Sequence, residues 1–329
     1  MTLVLTITGL ICWLIIGGFL IGRVWGIFKA RPKLDIRNSW VIVTGCDSGI
    51  GLGVTKKLVA QGASVIAFTY TAEGAKRALE AGARLAPRVD ITDEAALQET
   101  LTQVKDLCKG QLWGLVHNAG VVQPGFIEYQ QIDNFHRIMD INFFAVVTLT
   151  QQLIPLLKPT EGRIVIVSSV DGIVSLPGNA PYDASKFAVE SFADALRAEL
   201  SFWNVAVSVI NPSTLRTPLA LGFFEAHKKV WETMDQLDPD GDWKKAWTAE
   251  WLETYVTENS QRIESIAQDP RYAVDDIFHA LVAKHPKMRY LSGTLAKTLF
   301  YALWKMPEHW SFVFKKSMIN PPPQVSFKK

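Results

Sequence analysis

Between Trp40 and Asn211 the chain alternates short β-branched apolar runs with segments of helical periodicity. Nothing else in it restricts the fold so strongly. Residues 40–44, 64–70, 85–90, 113–117, 162–168 and 206–211 read as strands. They are apolar throughout instead of alternating, as strands buried on both faces are. Residues 50–60, 72–80, 92–108, 135–157 and 182–201 read as the helices between them, with Thr92 as N-cap of the third. This order predicts an α/β fold: a doubly wound, mostly parallel sheet with helices on both faces. Beyond Pro212 the pattern changes. Residues 213–270 are mixed amphipathic segments rich in Trp and charge, which predicts an insertion lying over one end of the sheet. A helix over 272–284 and an edge strand over 288–291 complete the domain.

Composition narrows the function. The chain has 329 residues, 48% of them hydrophobic, and a formal net charge of +2. That charge leaves no broad nucleic-acid footprint. Cys12, Cys46 and Cys108 are odd in number and far apart. They make neither a disulfide framework nor a zinc cluster, so no metal is expected, and a reducing compartment fits. Asp238, Asp240 and Asp242 invite a calcium loop, but Gly241 falls before the third carboxylate, so a solvated turn is expected.

Residues 2–22 carry no charged side chain and are long enough to cross a bilayer as a helix. Arg23, Lys29, Arg31, Lys33 and Arg37 follow, and positive charge on that side puts the downstream chain in the cytosol. A cleaved signal peptide would want a basic n-region and a shorter apolar run. A buried core helix would sit awkwardly with Gly9, Gly17 and Gly18. The expected organisation is a membrane anchor at 1–22, a basic linker at 23–38, the α/β domain at 39–293 and an aromatic, basic region at 294–329. In that last region Phe300, Tyr301, Trp304, Trp310, Phe312 and Phe314 are interleaved with lysines. It is too charged to span a membrane and suits either a membrane interface or packing on the domain.

Thr44-Gly45-Cys46-Asp47-Ser48-Gly49-Ile50-Gly51 joins the first strand to the first helix. Glycines there allow a tight turn and close approach to a pyrophosphate, and the helix N-terminus offers unpaired N–H groups to that anion. Gly45, Cys46, Ser48, Gly49, Ile50 and Gly51 are the expected contacts. Asn118-Ala119-Gly120 ends the strand at 113–117 and borders the same crevice, because ligands in open α/β sheets bind beyond the carboxyl ends of strands. Pro212 and Thr217 reach it from the other side. Asp90 is either an adenine-side contact or an ordinary strand-end cap. The second strand ends Phe68-Thr69-Tyr70-Thr71, without the acid that marks NAD sites and without an arginine for a 2′-phosphate. Asp47 in the loop would oppose an added phosphate if it lies close. The sequence therefore favours NAD, with NADP as the alternative.

Tyr182 and Lys186 stand one helical turn apart and can face one cavity. A tyrosine with an unperturbed pKa of ~10 accepts protons poorly at neutral pH. A neighbouring ammonium favours the phenolate and would make it a working acid/base. Taken with the glycine loop, Asn118-Ala119-Gly120, Asn142 and Ser169, this set resembles the short-chain dehydrogenase/reductase family over residues 38–220. The Cys46-Asp47-Ser48 filling of the loop and the Ala184-Ser185-Lys186-Phe187 run are similar to the membrane-anchored retinol and hydroxysteroid dehydrogenase branch. The 3-hydroxybutyrate dehydrogenases are similar too.

The resemblance implies a single-domain Rossmann-like fold and a catalytic set of Asn142, Ser169, Tyr182 and Lys186. Ser169 and Tyr182 would bind the substrate hydroxyl. Tyr182 as phenolate would take its proton while hydride passes to the nicotinamide. Tyr182 and Lys186 would also contact the cofactor, with Lys186 on its ribose, and Asn142 would hold a water linking Lys186 to solvent. Ser169, not Ser168, has the family spacing. A small lipophilic alcohol or carbonyl is the expected substrate, at an endoplasmic reticulum membrane facing the cytosol, or alternatively a mitochondrial one. Family members often dimerise through the helix carrying Tyr182, which makes a homodimer an expectation. An NADPH-dependent carbonyl reductase of the same fold, a sugar-nucleotide epimerase and a non-catalytic membrane-anchored nucleotide-binding scaffold are the rival readings.

Overall fold

The structure is a computed structural model that describes residues 33–318. The expected anchor at residues 1–22 lies outside the described residues, as do most of the basic linker and the chain after Met318. Lys33–Asp35 and Ala283–His285 fall in a small unit of their own, where Lys33 and Ala283 form an antiparallel bridge. The main unit, Ile36–Val282 with the chain from Pro286, carries the sheet.

Six parallel strands run in the order β2-β1-β3-β4-β5-β6: β1 Trp40–Thr44, β2 Ser64–Phe68, β3 Gly114–His117, β4 Arg163–Val167, β5 Ala206–Pro212 and β6 Arg289–Ser292. Successive residues of each strand point to opposite faces, and both faces are covered. Ile42, Ile66, Phe68, Leu115, Ile164, Ile166 and Val209 pack into one core layer. Val41, Val43, Val65, Val116, Val165, Val167 and Ile210 pack into the other. All but Val167, which is nearly so, are essentially fully buried. Each such side chain contributes about 1.5–3 kcal/mol relative to exposure. That requirement is why these runs do not alternate with polar residues.

Helices α1 (Gly49–Ala60), α2 (Ala72–Glu80), α3 (Glu94–Cys108), α4 (Ile132–Met139), α5 (Ala145–Leu157) and α6 (Ala180–Leu200) cross between the strands. A π-turn at Asp140–Phe144 joins α4 to α5. The helical stretch Ile132–Thr160 is long and apolar enough to cross a membrane, yet Leu149, Leu153 and Leu157 lie fully buried in the core over the sheet. Between β5 and β6 stand α7 (Pro218–Leu221), α8 (Phe223–Leu237), α9 (Ala249–Ile266) and α10 (Arg271–Val282). A π-turn at Ala296–Phe300, then α11 (Tyr301–Lys305) and α12 (Glu308–Ser317), follow β6.

Two local expectations are corrected. Residues 85–90 do not form a strand. They run beside β2 with isolated bridges at Leu85 and Arg88, and Pro87, which has no N–H, interrupts the ladder. Thr92 does not cap α3. Asp93 does, its carboxylate accepting from Ala96 N at 3.0 Å, while the Thr92 hydroxyl donates to Asp90 Oδ1 at 2.7 Å.

Chain direction sets the site. From β1 the chain moves outward to β2 and then crosses back to β3 on the other side of β1. At that reversal the connections diverge, leaving a crevice at the carboxyl ends of β1 and β3. α7–α9 and the C-terminal helices provide a second wall.

Candidate active site

A cavity of about 500 Å³ opens at that crevice. Its floor is backbone. Gly45 has φ +68°, and a Cβ there would come within 2.7 Å of Ala119 Cα. At Gly51 a Cβ would be driven into the Gly45 carbonyl oxygen and to 2.6 Å from Asn118 Nδ2. Asn118 locks this approach: its Nδ2 donates to the carbonyls of Thr44 at 2.9 Å and Gly45 at 3.1 Å. The Thr44 hydroxyl accepts from the backbone N–H groups of Asn118 and Ala119 at 3.0 and 2.9 Å. Ser48 is the N-cap of α1, and its side chain makes no capping bond. The first turn of α1 therefore faces the cavity with backbone donors, and the close-packed glycines leave a cradle that side chains would fill. Both features fit a dinucleotide pyrophosphate.

Gly45, Ser48, Gly49, Ile50, Asn118, Ala119 and Gly120 line the cavity, as do Pro212 and Thr217 opposite. Three expected contacts do not. Cys46 is wholly buried under the loop, its thiol on the Val43 carbonyl and accepting from Thr55, so it packs the core. Gly51 acts through close packing. Asp90 lies instead in a second pocket at the end of β2, with Tyr70, Thr71 and Arg88, and its carboxylate also caps the Thr92 N–H and hydroxyl.

Asp47 is a loop carboxylate that reaches the end of β2. It accepts from the backbone N–H groups of Tyr70 and Thr71 at 3.0 and 2.8 Å and from the Thr71 hydroxyl at 2.7 Å. The fold thus supplies an acid where the strand itself has none. It also brings up a cation that the sequence reading missed: Arg88 Nε donates to the Tyr70 carbonyl at 3.3 Å. Eighteen residues separate that pair, so only the crossing of the 85–90 segment past β2 reveals it.

Ser169 follows β4, and Tyr182 and Lys186 lie on the first turns of α6; all three border the cavity and are buried. Ser169 hydrogen-bonds Tyr182, and its Oγ also accepts from Asp171 N at 3.1 Å. Ser168 instead turns its Oγ toward the Lys186 carbonyl, at 3.5 Å. Lys186 Nζ donates to the Val167 carbonyl at 3.0 Å and lies 5.3 Å from the centre of the Tyr182 ring. Asn142, in the π-turn, is 1% exposed and lies behind Gly120. Its Nδ2 donates to the Val121 carbonyl and to Ser185 Oγ, both at 3.0 Å, and its Oδ1 accepts from Val121 N at 2.9 Å.

The electrostatics reverse one expectation. Lys186 does not bring the Tyr182 phenol down. Burial pushes it up first, the Asp171 carboxylate pushes the same way, and the Ser169 hydrogen bond offsets only part. Lys186 itself is lowered to about 8, by burial first, with Glu190 and Asp171 drawing it back up. Asp171 borders the cavity and Asp183 is 2% exposed beside Tyr182; sequence reasoning passed over both, although they flank the motif residues.

The opposite wall is apolar and aromatic. Leu219, Phe223, Phe224, Tyr255 and Ile263 come from α7–α9, and Leu299 and Phe300 from the C-terminal region. Behind them Phe126 stacks on Trp247 at 4.3 Å and Trp251 on Tyr255 at 4.7 Å between ring centres. The C-terminal region is in part a domain element: Ala296, Phe300 and Leu303 are buried against Val170 and Val174, just after Ser169. Its outer face leaves Tyr301, Trp310, Phe312 and Val313 exposed. Among the described residues, no group of His, Cys, Asp and Glu side chains is arranged to hold a metal ion.

A Rossmann-like sheet with a dinucleotide cradle and a Ser-Tyr-Lys cluster defines a class of NAD(P)-dependent oxidoreductases. Residues 39–228 match the short chain dehydrogenase family. Human retinol dehydrogenase 16 is 34% identical over 287 residues, covering 85% of this chain and 89% of its own. Bovine 17-beta-hydroxysteroid dehydrogenase type 6 is 31% identical over 288 residues, with 85% and 89% covered. A short chain dehydrogenase from Burkholderia cenocepacia, solved in complex with NADP, shares the fold with a TM-score of 0.63 at 22% identity, over 85% of this chain and 98% of that one. The chain belongs to the short-chain dehydrogenase/reductase family, in its retinol and hydroxysteroid dehydrogenase branch, and is an NAD(P)-dependent alcohol dehydrogenase/reductase.

Proposed function

We propose that the protein interconverts a lipophilic alcohol of the retinol or hydroxysteroid class with its carbonyl, and that Tyr182 moves the proton. The observation that carries this reading is the juxtaposition in one cavity of the Ser169–Tyr182–Lys186 cluster, the glycine cradle and a largely apolar far wall. The relatives named for retinol and a hydroxysteroid support the substrate class.

Gly45, Ser48, Gly49, Ile50 and Asn118-Ala119-Gly120 hold the dinucleotide, with Pro212, Thr217 and Lys186 at its nicotinamide end. The bound nicotinamide supplies or accepts the hydride. Ser169 and Tyr182 hydrogen-bond the substrate oxygen and orient it. In reduction Tyr182 gives its phenolic proton to the carbonyl oxygen, and in oxidation it takes the hydroxyl proton. The apolar wall and the buried cluster exclude water from the reacting atoms.

NAD is the preferred cofactor in this reading. Asp47 at the end of β2 favours a ribose hydroxyl over a phosphate, while Arg88 beside it supports NADP as the second reading. Residues 1–22 anchor the enzyme with its domain in the cytosol at the endoplasmic reticulum, and the exposed aromatics of α11 and α12 suit a membrane surface. The test is a panel of retinoids, hydroxysteroids and 3-hydroxybutyrate, each assayed with NAD and NADP on the full chain in detergent or membranes. Turnover of the lipophilic alcohols with NAD is expected. Preferential turnover of 3-hydroxybutyrate would overturn the substrate class, and preference for NADP would overturn the cofactor assignment.

A further inference from the structure

Asp171 shares the cavity wall with Tyr182 and Asp183 follows Tyr182 on α6, and the reaction uses neither. Asp171 stands two residues after Ser169, at the cavity wall. Asp183 is the next residue after Tyr182 and is buried, its Oδ2 accepting from Leu176 N at 2.7 Å. Asn179, 3% exposed, joins them. Its Nδ2 reaches Asp171 Oδ2 at 3.4 Å, and its side chain also pairs with Asp183.

The hydrogen-bond inventory at this cluster does not close with both carboxylates ionised. Among the described residues, Asp183 Oδ1 and Asn179 Oδ1 are both buried acceptors with no donor. Two buried oxygens with no protein donor are costly. One proton on Asp183 turns one of them into a donor. The surrounding charges favour such a proton. Burial raises both acids, and Asp183 is raised further by the Asp171 carboxylate. From α6, Lys186 draws Asp171 down but spends a hydrogen bond on Val167. From α12, Lys315 draws Asp183 down by less than these effects raise it. Glu190, the next acid on α6, is paired with Arg289 of β6 at 2.6 Å.

We propose that Asp171 and Asp183, joined through Asn179, hold a proton beside Tyr182 and act as positioning residues that keep Tyr182 protonated. The site is thereby stocked as a proton donor, ready for carbonyl reduction at neutral pH. This rests on Tyr182 being the acid/base, and it explains how a Tyr-Lys pair can be biased toward one direction by its neighbours. The pair holds net negative charge near the phenol, and a negative charge opposes the phenolate.

The test reads Tyr182 directly. The tyrosinate ultraviolet difference between the full chain in detergent and its Tyr182→Phe variant is followed against pH, with NADH bound. The measurement is repeated in Asp171→Asn, Asp183→Asn and the double variant. Tyr182 is expected to titrate about one pH unit lower in the double variant, a tenfold change in its proton affinity, and by less in each single one. A buried carboxylic-acid C=O band in the infrared spectrum at neutral pH should be present in the parent and lost in the double variant. Unmoved titration in all three variants, or no such band in the parent, overturns the proposal. If Asp183→Asn does not fold, Asp171→Asn at the cavity wall carries the titration and the parent spectrum carries the band. Near-normal turnover by Tyr182→Phe would instead sink the acid/base reading, so the two failures are distinguishable.

Discussion

The two walls of the cavity are built from different materials. The cofactor wall is backbone: the Gly45 turn, the close packing at Gly51 and the Asn118 bonds to two carbonyls fix its shape. The substrate wall is side chains: Leu219, Phe223, Phe224, Tyr255 and Ile263 face the cavity, and Phe126, Trp247 and Trp251, from the loops before α4 and α9 and from α9 itself, pack behind them. A backbone wall tolerates almost no substitution and presents the same shape to any dinucleotide. An aromatic wall can be recut by exchanging rings, so it is where substrate choice can vary while the chemistry stays.

The contrast is tested first where the walls meet. Tyr182→Phe removes the proposed proton carrier and leaves both walls standing. Turnover should fall on the order of 10²–10⁴-fold, the usual worth of acid/base catalysis, with NADH affinity by fluorescence unchanged. Near-normal turnover would detach the chemistry from this cavity.

Trp251→Ala should separate the walls. A cavity in the aromatic cluster costs ~3–5 kcal/mol of stability, visible in denaturant unfolding, and KM should rise for the lipophilic substrate. NADH affinity should hold in the folded fraction. Loss of both affinities together would mean that the walls are one unit.

Gly51→Ala is the complement. The new methyl is forced into the Gly45 carbonyl. NADH binding should weaken by at least about tenfold, or ~1.4 kcal/mol, with KM for the alcohol little changed at saturating cofactor. A variant that binds NADH normally would show that the loop is softer than its packing implies.

The smallest effect is shared by both walls. Burial holds His117, beneath Asn118, at about 3 and His227, in the aromatic cluster, at about 4. The unfolded chain protonates each near pH ~6.5. Because the folded values are the lower ones, stability is complete above ~6.5 and is lost as pH falls toward them. His117→Gln and His227→Gln should each remove up to ~1.4 kcal/mol per pH unit from that slope. Melting temperatures between about pH 6.5 and 4.5 read it. Equal slopes in parent and variants would mean that neither ring stays neutral.

The contrast also explains what was legible in the sequence. The β1 run, the glycines and Tyr182-x-x-x-Lys186 are local patterns, because a backbone cradle and one helical turn need residue types at set intervals. Residues 85–90 carried the right composition for a strand, but Pro87 and the crossing past β2 left only bridges. Cys46 has a place in the motif spacing, yet the turn directs its thiol into the core. Spacing names a position and does not say which way its side chain points.

The electrostatics depended on packing most of all. A lysine one turn from a tyrosine suggests a lowered phenol pKa, and in water it would be so. Folding buries the phenol, turns Lys186 to the Val167 carbonyl and brings the Asp171 charge within reach of Tyr182, and the balance reverses. The aromatic wall was equally hidden, since rings from residues 126 to 255 meet only after three helices have packed.

By itself the sequence determined the parallel sheet, the glycine turn after β1, the gathering of Ser169, Tyr182 and Lys186 at one cavity and the family, because each rests on apolar periodicity or on backbone geometry at short range. Only the tertiary structure decided that Asp47 and Arg88 both reach Tyr70 at the end of β2, that the Cys46 thiol turns into the core, and that Asp171 shares the cavity wall with Tyr182. Those outcomes depend on burial and on charges brought together across the fold, and neither quantity exists until the chain has excluded its water.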